Sequence, residues 1–308
     1  MKSVTVVGSI NIDLTSYLDR WPEIGETVAV RETARALGGK GANQAVAATR
    51  LGADVTLVGA LGQDAFGQEA DGLLREEGIQ LELTHLSGCA TGLAFIDVGP
   101  DGGNLIRLAG GANAKLSPAQ VALHADAIGQ SDVVLLQNEI DLAASLEAAR
   151  LARKAGALVI MDPAPSPQPG WSRATFSSFD ILTPNAAEAG KIVGWQPASL
   201  SEARDAVCEL RSYGLRGAIV TMGDIGVAWS FEGASGTLVA EEVQTIDTVA
   251  AGDCFNGALA TRLAFGESIE DAIFFATRAA ALATTRKGAS EALPTLSEVE
   301  TFRALATA

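Results

Sequence analysis

Histidine is almost missing from this chain: its 308 residues include two, His85 and His124. Two imidazoles so far apart exclude a zinc site built on histidine. Cysteine is scarce as well. Cys89, Cys208 and Cys254 are odd in number, widely separated and free of any CxxC spacing. Three reduced thiols in a cytoplasmic protein are therefore expected, not a disulfide framework. Positive charge is in deficit, with 22 Lys and Arg against 37 Asp and Glu and a net charge of −15. Such a surface repels nucleic acid and anionic membranes, so neither is expected as a partner. It also repels anionic substrates, so a site for one has to be made locally positive by helix amides, a metal ion or a few cations. Long apolar runs are absent. Val4-Thr5-Val6-Val7 stops at Gly8 and is too short for a signal sequence. No stretch approaches the roughly 18 uncharged apolar residues that a bilayer span needs. Aromatics make up only 5%, which leaves the core to small and aliphatic side chains.

What is present is enough to fold. Hydrophobic residues are 48% and charged residues 19%, a balance that buries a core and excludes disorder. The length suits one large α/β domain or two ordinary ones. Val4–Val7 reads as a buried parallel strand. Helices are expected at 41–51, 64–76, 118–128, 142–154, 201–213, 251–263, 269–285 and 297–305. Strands are expected at 55–58, 133–136, 157–161, 181–182 and 218–221, with an antiparallel pair at 227–231 and 237–240. Strands alternating with helices imply a doubly wound, mostly parallel sheet with helices on both faces. Two segments break the alternation. Residues 14–37 lack a helical period and suit a small strand pair. Residues 91–108 read as a hairpin turning at Pro100-Asp101-Gly102-Gly103. Together they are expected to form a small β lid on a single domain spanning 1–308.

Several polar clusters sit where such a sheet binds ligands, beyond the carboxyl ends of its strands. Asn11 and Asp13 follow the first strand, either to line a site or to form a turn. Gly38-Gly39-Lys40-Gly41-Ala42-Asn43 precedes a helix without Walker A spacing, as a ligand-contacting loop or a flexible helix entry. Ala250-Ala251-Gly252-Asp253 opens another helix. Free amides there, with little side-chain bulk in the way, make a pocket for phosphate, although the same run also suits an ordinary helix start. Asn185 and Glu188 have capping-box spacing, and equally suit phosphate and Mg2+ contacts. Thr221-Met222-Gly223-Asp224-Ile225-Gly226 is a turn after a strand. Glu139 follows the strand at 133–136.

In combination these runs resemble the ribokinase-type carbohydrate kinases. The resemblance is carried by Gly8-Ser9-Ile10-Asn11-Ile12-Asp13, by GGKGANQAVAA from Gly38 to Ala48, and by Gly111-Ala112-Asn113-Ala114 with Leu116-Ser117-Pro118. It continues through Asp162-Pro163-Ala164-Pro165, Thr183-Pro184-Asn185, Thr248 to Asp253 with Phe255-Asn256-Gly257-Ala258-Leu259, and Thr285-Arg286-Lys287-Gly288-Ala289. It implies transfer of phosphate from ATP to the primary 5-hydroxyl of D-ribose, with Asp253 as base. Deoxyribose, fructose or a nucleoside stays open as the acceptor. So does a non-catalytic sugar-binding regulator, which would be expected to lose the base or the anion pocket.

By the same resemblance, Asn11, Asp13, Gly39, Lys40, Asn43 and Glu139 hold the sugar, and Ala250, Ala251, Gly252 and Asp253 hold the transferring phosphate. Asn185, Thr221, Gly223, Gly226 and Thr277 serve the nucleotide, and Glu188 organises Mg2+ through water. Asp247, Val249, Ala283, Arg286 and Gly288 surround a monovalent cation such as K+. Ala292 stands where the family can offer a serine hydroxyl, a departure that bears on that cation site. A homodimer through the lid is also implied; separately, the pairs Gly38-Gly39 and Gly110-Gly111 read as candidate hinges for closing the lid.

Overall fold

A computed structural model describes residues 2–101, 103–167 and 170–302. Its strands are β1 (Ser3–Val7), β2 (Asn11–Tyr17), β3 (Glu32–Gly38), β4 (Asp54–Gly62), β5 (Gln80–Leu86), β6 (Gly92–Val98) and β7 (Asn104–Ala109). Then come β8 (Val133–Gln137), β9 (Leu158–Asp162), β10 (Ile181–Leu182), β11 (Gly217–Thr221), β12 (Val227–Phe231) and β13 (Ala234–Leu238). Nine of them form one sheet in the order β13-β12-β11-β10-β9-β8-β1-β4-β5. From β5 to β11 all neighbours are parallel, and β12 and β13 close one edge as an antiparallel hairpin.

The side-chain period of two divides each strand between two cores. Val4, Val6, Leu135, Ile160 and Ile219 pack on one face against the helices Lys40–Arg50, Ala251–Ala264 and Ile269–Ala283. Val7, Leu136, Val159, Met161 and Val220 pack on the other against Leu142–Ala155 and Leu200–Arg211. The apolar runs seen in sequence are thus strands covered on both sides. The chain leaves β1 toward β4 and β5 on one side, and returns on the other through β8, β9, β10 and β11. The order therefore reverses between β1 and β8, which places the ligand crevice beyond their carboxyl ends.

Helix Ala251–Ala264 crosses helix Lys40–Arg50 at Gly257. A Cβ there would stand 2.6 Å from Ala47 Cβ and 2.8 Å from the Gln44 carbonyl oxygen. Glycine alone permits that approach.

The other four strands form a separate sheet in the order β3-β2-β6-β7. Its centre is the parallel pair β2–β6, flanked by the antiparallel pairs β2–β3 and β6–β7. These are the strand pair and hairpin expected at 14–37 and 91–108. The sheet starts earlier than expected, at Asn11, and so carries both Asn11 and Asp13. The expected turn at 100–103 joins β6 to β7, although Gly102 lies outside the described residues.

Other boundaries differ from expectation. β5 was not anticipated: its sequence QLELTHL mixes Leu with Glu, Thr and His at the sheet edge. The helix expected at 118–128 is two, Pro118–Leu123 and Ala125–Gly129. At the break, His124 turns its ring to Glu82 on β5, with Nδ1 2.9 Å from the carboxylate. The last helix is Leu296–Thr301, and residues 303–305 of the expected element lie outside the described residues. No helix among the described residues is long and apolar enough to cross a membrane.

Candidate active site

Side chains from four strand ends and two helix starts meet at the crevice. Gln137 and Asp162 end β8 and β9 and pair directly in the ladder. Asn185, just after β10, bridges to Thr221 at the end of β11. Above them, Lys40, Asn43 and Gln44 share one face of their helix through i, i+3 and i+4 spacing.

That face meets Asp253. Asn43 Nδ2 donates to Asp253 Oδ2 at 3.0 Å, and Gln44 Nε2 donates to Oδ1 at 3.2 Å. Lys40 Nζ stands 3.7 Å from Asp253 Oδ1 and 3.6 Å from Asp162 Oδ2. Burial alone would lower the Lys40 pKa, but Asp253, Asp162, Glu139 and Glu188 outweigh it and hold the ammonium charged. Burial pushes Asp162 up to about 7 against the pull of Lys40.

The helix carrying Asp253 starts at Ala250, a non-glycine residue in the left-handed region (φ 59°) with no side-chain cap. The N–H groups of Gly252 and Asp253 meet no acceptor among the described residues. Gly252 is exposed, and a Cβ built on it would touch nothing within 4 Å. A buried carboxylate thus lies beside two free amides that face open space, an arrangement that receives an anion.

The facing wall comes from β2. Asn11 Oδ1 accepts from Asn113 Nδ2 at 2.8 Å, while Asn113 also pairs with the Ile10 N–H and carbonyl. Asp13 is held against Gly38, where a Cβ would sit 2.1 Å from its Oδ1. That oxygen is buried without a partner. Burial first, then the charges of Glu139, Glu291 and Asp253, push Asp13 up to about 7. Glu139 Oε2 accepts from Ser9 Oγ at 2.5 Å and from the Lys40 amide at 3.1 Å. Gly39 (φ 89°) passes so near the chain that its Cβ would stand 2.8 Å from the Asn11 nitrogen. A cavity with both polar and apolar walls opens among Ser9, Asn11, Leu108, Asn113, Glu139 and Pro165.

Asn185 and Glu188 do form the reciprocal capping box, with both bonds at 2.9 Å. That leaves the Asn185 side-chain nitrogen Nδ2 and Glu188 Oε1 uncommitted among the described residues. Gly223 and Gly226 flank a short turn after Thr221. At Gly226 (φ 130°) a Cβ would collide with the Leu238 carbonyl oxygen at 2.1 Å. Thr277 is buried on helix Ile269–Ala283, its hydroxyl without a partner. Asp247 accepts from the amides of Val249 (3.0 Å) and Gly288 (3.1 Å), tying two loops together. The Arg286 side chain turns to Glu298 at 2.6 Å, so only its backbone faces the group formed with Ala283. Among the described residues no three His, Cys, Asp or Glu side chains gather as metal ligands.

Sequence reasoning assigned no role to Ser9, Gln44, Asn113, Gln137, Asp162 or Glu291. A polar residue closing an apolar run was the available signal for Gln137 and Asp162.

A buried carboxylate that can take a proton, beside free helix-start amides that can take a phosphate, defines a phosphotransferase acting on a small hydroxylated acceptor. Within that class, the chain belongs to the pfkB family of carbohydrate kinases, whose model matches residues 1–296. A ribokinase of Haemophilus influenzae is 39% identical over 304 residues, covering 98% of each chain. The crystal structure of a Thermotoga maritima ribokinase superposes with a TM-score of 0.87 at 34% identity, covering 96% of this chain and 97% of that one. The structure of Arabidopsis thaliana ribokinase complexed with ribose and ATP gives 0.87 at 30% identity, covering 97% and 99%.

Proposed function

We propose that this chain is an ATP-dependent ribokinase, transferring the terminal phosphoryl group of ATP to the primary 5-hydroxyl of D-ribose to give ribose 5-phosphate and ADP. The observation that carries it is the buried Asp253 carboxylate beside the free amides of Gly252 and Asp253. Full-length relatives named ribokinase support the choice of acceptor.

In this reading the sugar lies between β2 and Glu139. Asp13 and Asn11 accept and donate to its hydroxyls, and Gly39, Lys40 and Asn43 close the pocket. Asp253 takes the proton of the attacking hydroxyl. Its reference pKa is only about 4, but in a loose transition state the proton leaves late and position matters more than basicity. The free amides of Gly252 and Asp253 stabilise charge on the transferring group, while Ala250 and Ala251 shape the turn that presents them, the Ala251 amide being donated to the Thr248 carbonyl. Lys40 offsets part of the negative charge of this acidic crevice. Asn185 contacts the phosphates, the Thr221–Gly226 turn lines the nucleotide, and Thr277 meets its adenine end.

Glu188 fits Mg2+ through water: it offers one free carboxylate oxygen, and Mg2+ keeps several waters and relies on substrate phosphates. When bound, the ion neutralises phosphate charge. The loops clasped by Asp247 carry the carbonyls of Val249, Ala283, Arg286 and Gly288, weak-field donors that suit K+; Ala292 adds no hydroxyl. The small sheet is the lid that excludes water. Its exposed β7 carries Leu105, Ile106 and Leu108, 49–51% exposed, and suits pairing with a second copy. Three free thiols suit a reducing, cytoplasmic compartment.

The test is ADP release from purified protein across D-ribose, deoxyribose, fructose and a nucleoside, with and without potassium. Ribose-dependent release well above the other acceptors supports the reading. Release with another acceptor reassigns the substrate, and none with any acceptor removes the kinase reading in favour of a sugar-binding regulator.

A further inference from the structure

Three polar side chains beneath the site have no part in the reaction just described. Gln44 and Gln137 are 0% exposed and Asp162 is 3%, so no substrate in the cavity reaches the two glutamines. They form one chain ending on the base. Gln137 Nε2 donates to Gln44 Oε1 at 2.7 Å, which fixes the way the Gln44 amide faces. Gln44 Nε2 then has two hydrogens to give, one to Asp162 Oδ2 at 3.0 Å and one to Asp253 Oδ1 at 3.2 Å. Lys40 bridges the same two carboxylate oxygens. Both side-chain groups that reach Asp253 Oδ1 are thus shared with Asp162.

The anchor is rigid. Gln137 and Asp162 are opposed residues of two central parallel strands, so the ladder, and not a loop, sets their spacing. Gly8 makes the room, since a Cβ there would stand 1.9 Å from Gln137 Oε1. Stability does not explain the chain. Gln137 Oε1 is buried without a partner, which costs free energy that an apolar side chain of that size would not. What a buried hydrogen-bonded chain supplies is a single geometry.

We propose that Asp162, Gln44 and Gln137 are positioning residues that orient the Asp253 carboxylate, and that Gln137 acts on the reaction only through Gln44. This rests on the kinase reading above. The wild type is compared with Asp162→Asn, Gln44→Leu, Gln137→Leu and the double variant Gln44→Leu/Gln137→Leu in the ADP-release assay. Each single change is expected to lower kcat about ten- to a hundredfold, the scale of a misplaced catalytic group. KM for sugar and ATP stays close to wild type, because the lost effect belongs to the transition state. The double variant is expected to be no slower than Gln44→Leu alone. ATP titration and thermal melting report folding, and Gln137→Met takes the place of Gln137→Leu if the latter does not fold.

Losses that multiply in the double variant overturn the proposal, as does a Gln137 variant with kcat within about twofold of wild type. A rise in sugar KM at constant kcat also overturns it, by making these residues part of ground-state binding. Wild-type protein without sugar-dependent ADP release overturns the kinase reading itself, and this one with it, so the two failures are told apart.

Discussion

Every residue of β8, from Val133 to Gln137, is buried, whereas every residue of β7, from Asn104 to Ala109, is exposed. The first belongs to a sheet with a core on each face, the second to a sheet with one side open. The division follows the chemistry. The large sheet and its helices hold Asp253, Lys40, Asp162 and Asn185, whose geometry has to be fixed. The small sheet holds Asn11 and Asp13, the residues proposed to meet a sugar that must enter and leave. Segments with little buried apolar surface open at low cost, so β7 and the outer part of the small sheet are the part of the molecule best able to move.

Breaking the large sheet should have the greatest effect. Leu135→Ala removes a fully buried side chain and is expected to cost about 2–5 kcal/mol in urea unfolding. Next comes the proposed base: Asp253→Asn should lower kcat at least about a hundredfold, with ATP titration near wild type. A variant within a few fold of wild type would deny Asp253 that role. On the small sheet, Asp13→Ala should weaken sugar affinity about ten- to a hundredfold, since buried polar partners lose their match. ATP affinity should hardly change, and equal losses in both titrations would blur the division between the sheets.

Asp13 also carries a cost when no sugar is bound. Its pKa is raised to about 7 in the fold from the usual aspartate value of 3.8, so the stability it contributes is full below about pH 4. That contribution is lost as pH climbs through about 7. Asparagine does not ionise, so the sugar-free Asp13→Asn protein should melt above wild type at pH 8 and match it near pH 4. The smallest effect belongs to Ile106→Ala, expected within about 0.5 kcal/mol at high dilution. If β7 pairs with a second copy, that loss should grow with protein concentration.

The sequence made the large sheet legible because its strands are short apolar runs with a core on each face. β5 escaped because an edge strand alternates polar and apolar residues and no run stands out. The Asp253 helix start could be read from its small residues and glycine. Its partners were half legible: Lys40, Asn43 and Gln44 lie on one helix face, but only the tertiary crossing shows that this face meets Asp253. The pairing of Gln137 with Asp162 depends on strand register, which no local pattern specifies. The Asn185–Glu188 spacing had two readings, and the capping bonds form while leaving one oxygen of Glu188 free.

Gly257 lies one helical turn below Asp253, at the point where its helix touches the helix of Asn43 and Gln44. The width of that seam acts as a gauge block for the acid and its two donors, which ride on opposite sides of it. A single methyl at 257 would wedge the seam open and lengthen those hydrogen bonds without altering any polar atom. The reach of the Asp253 carboxylate is thereby machined by a contact between a hydrogen atom and an alanine.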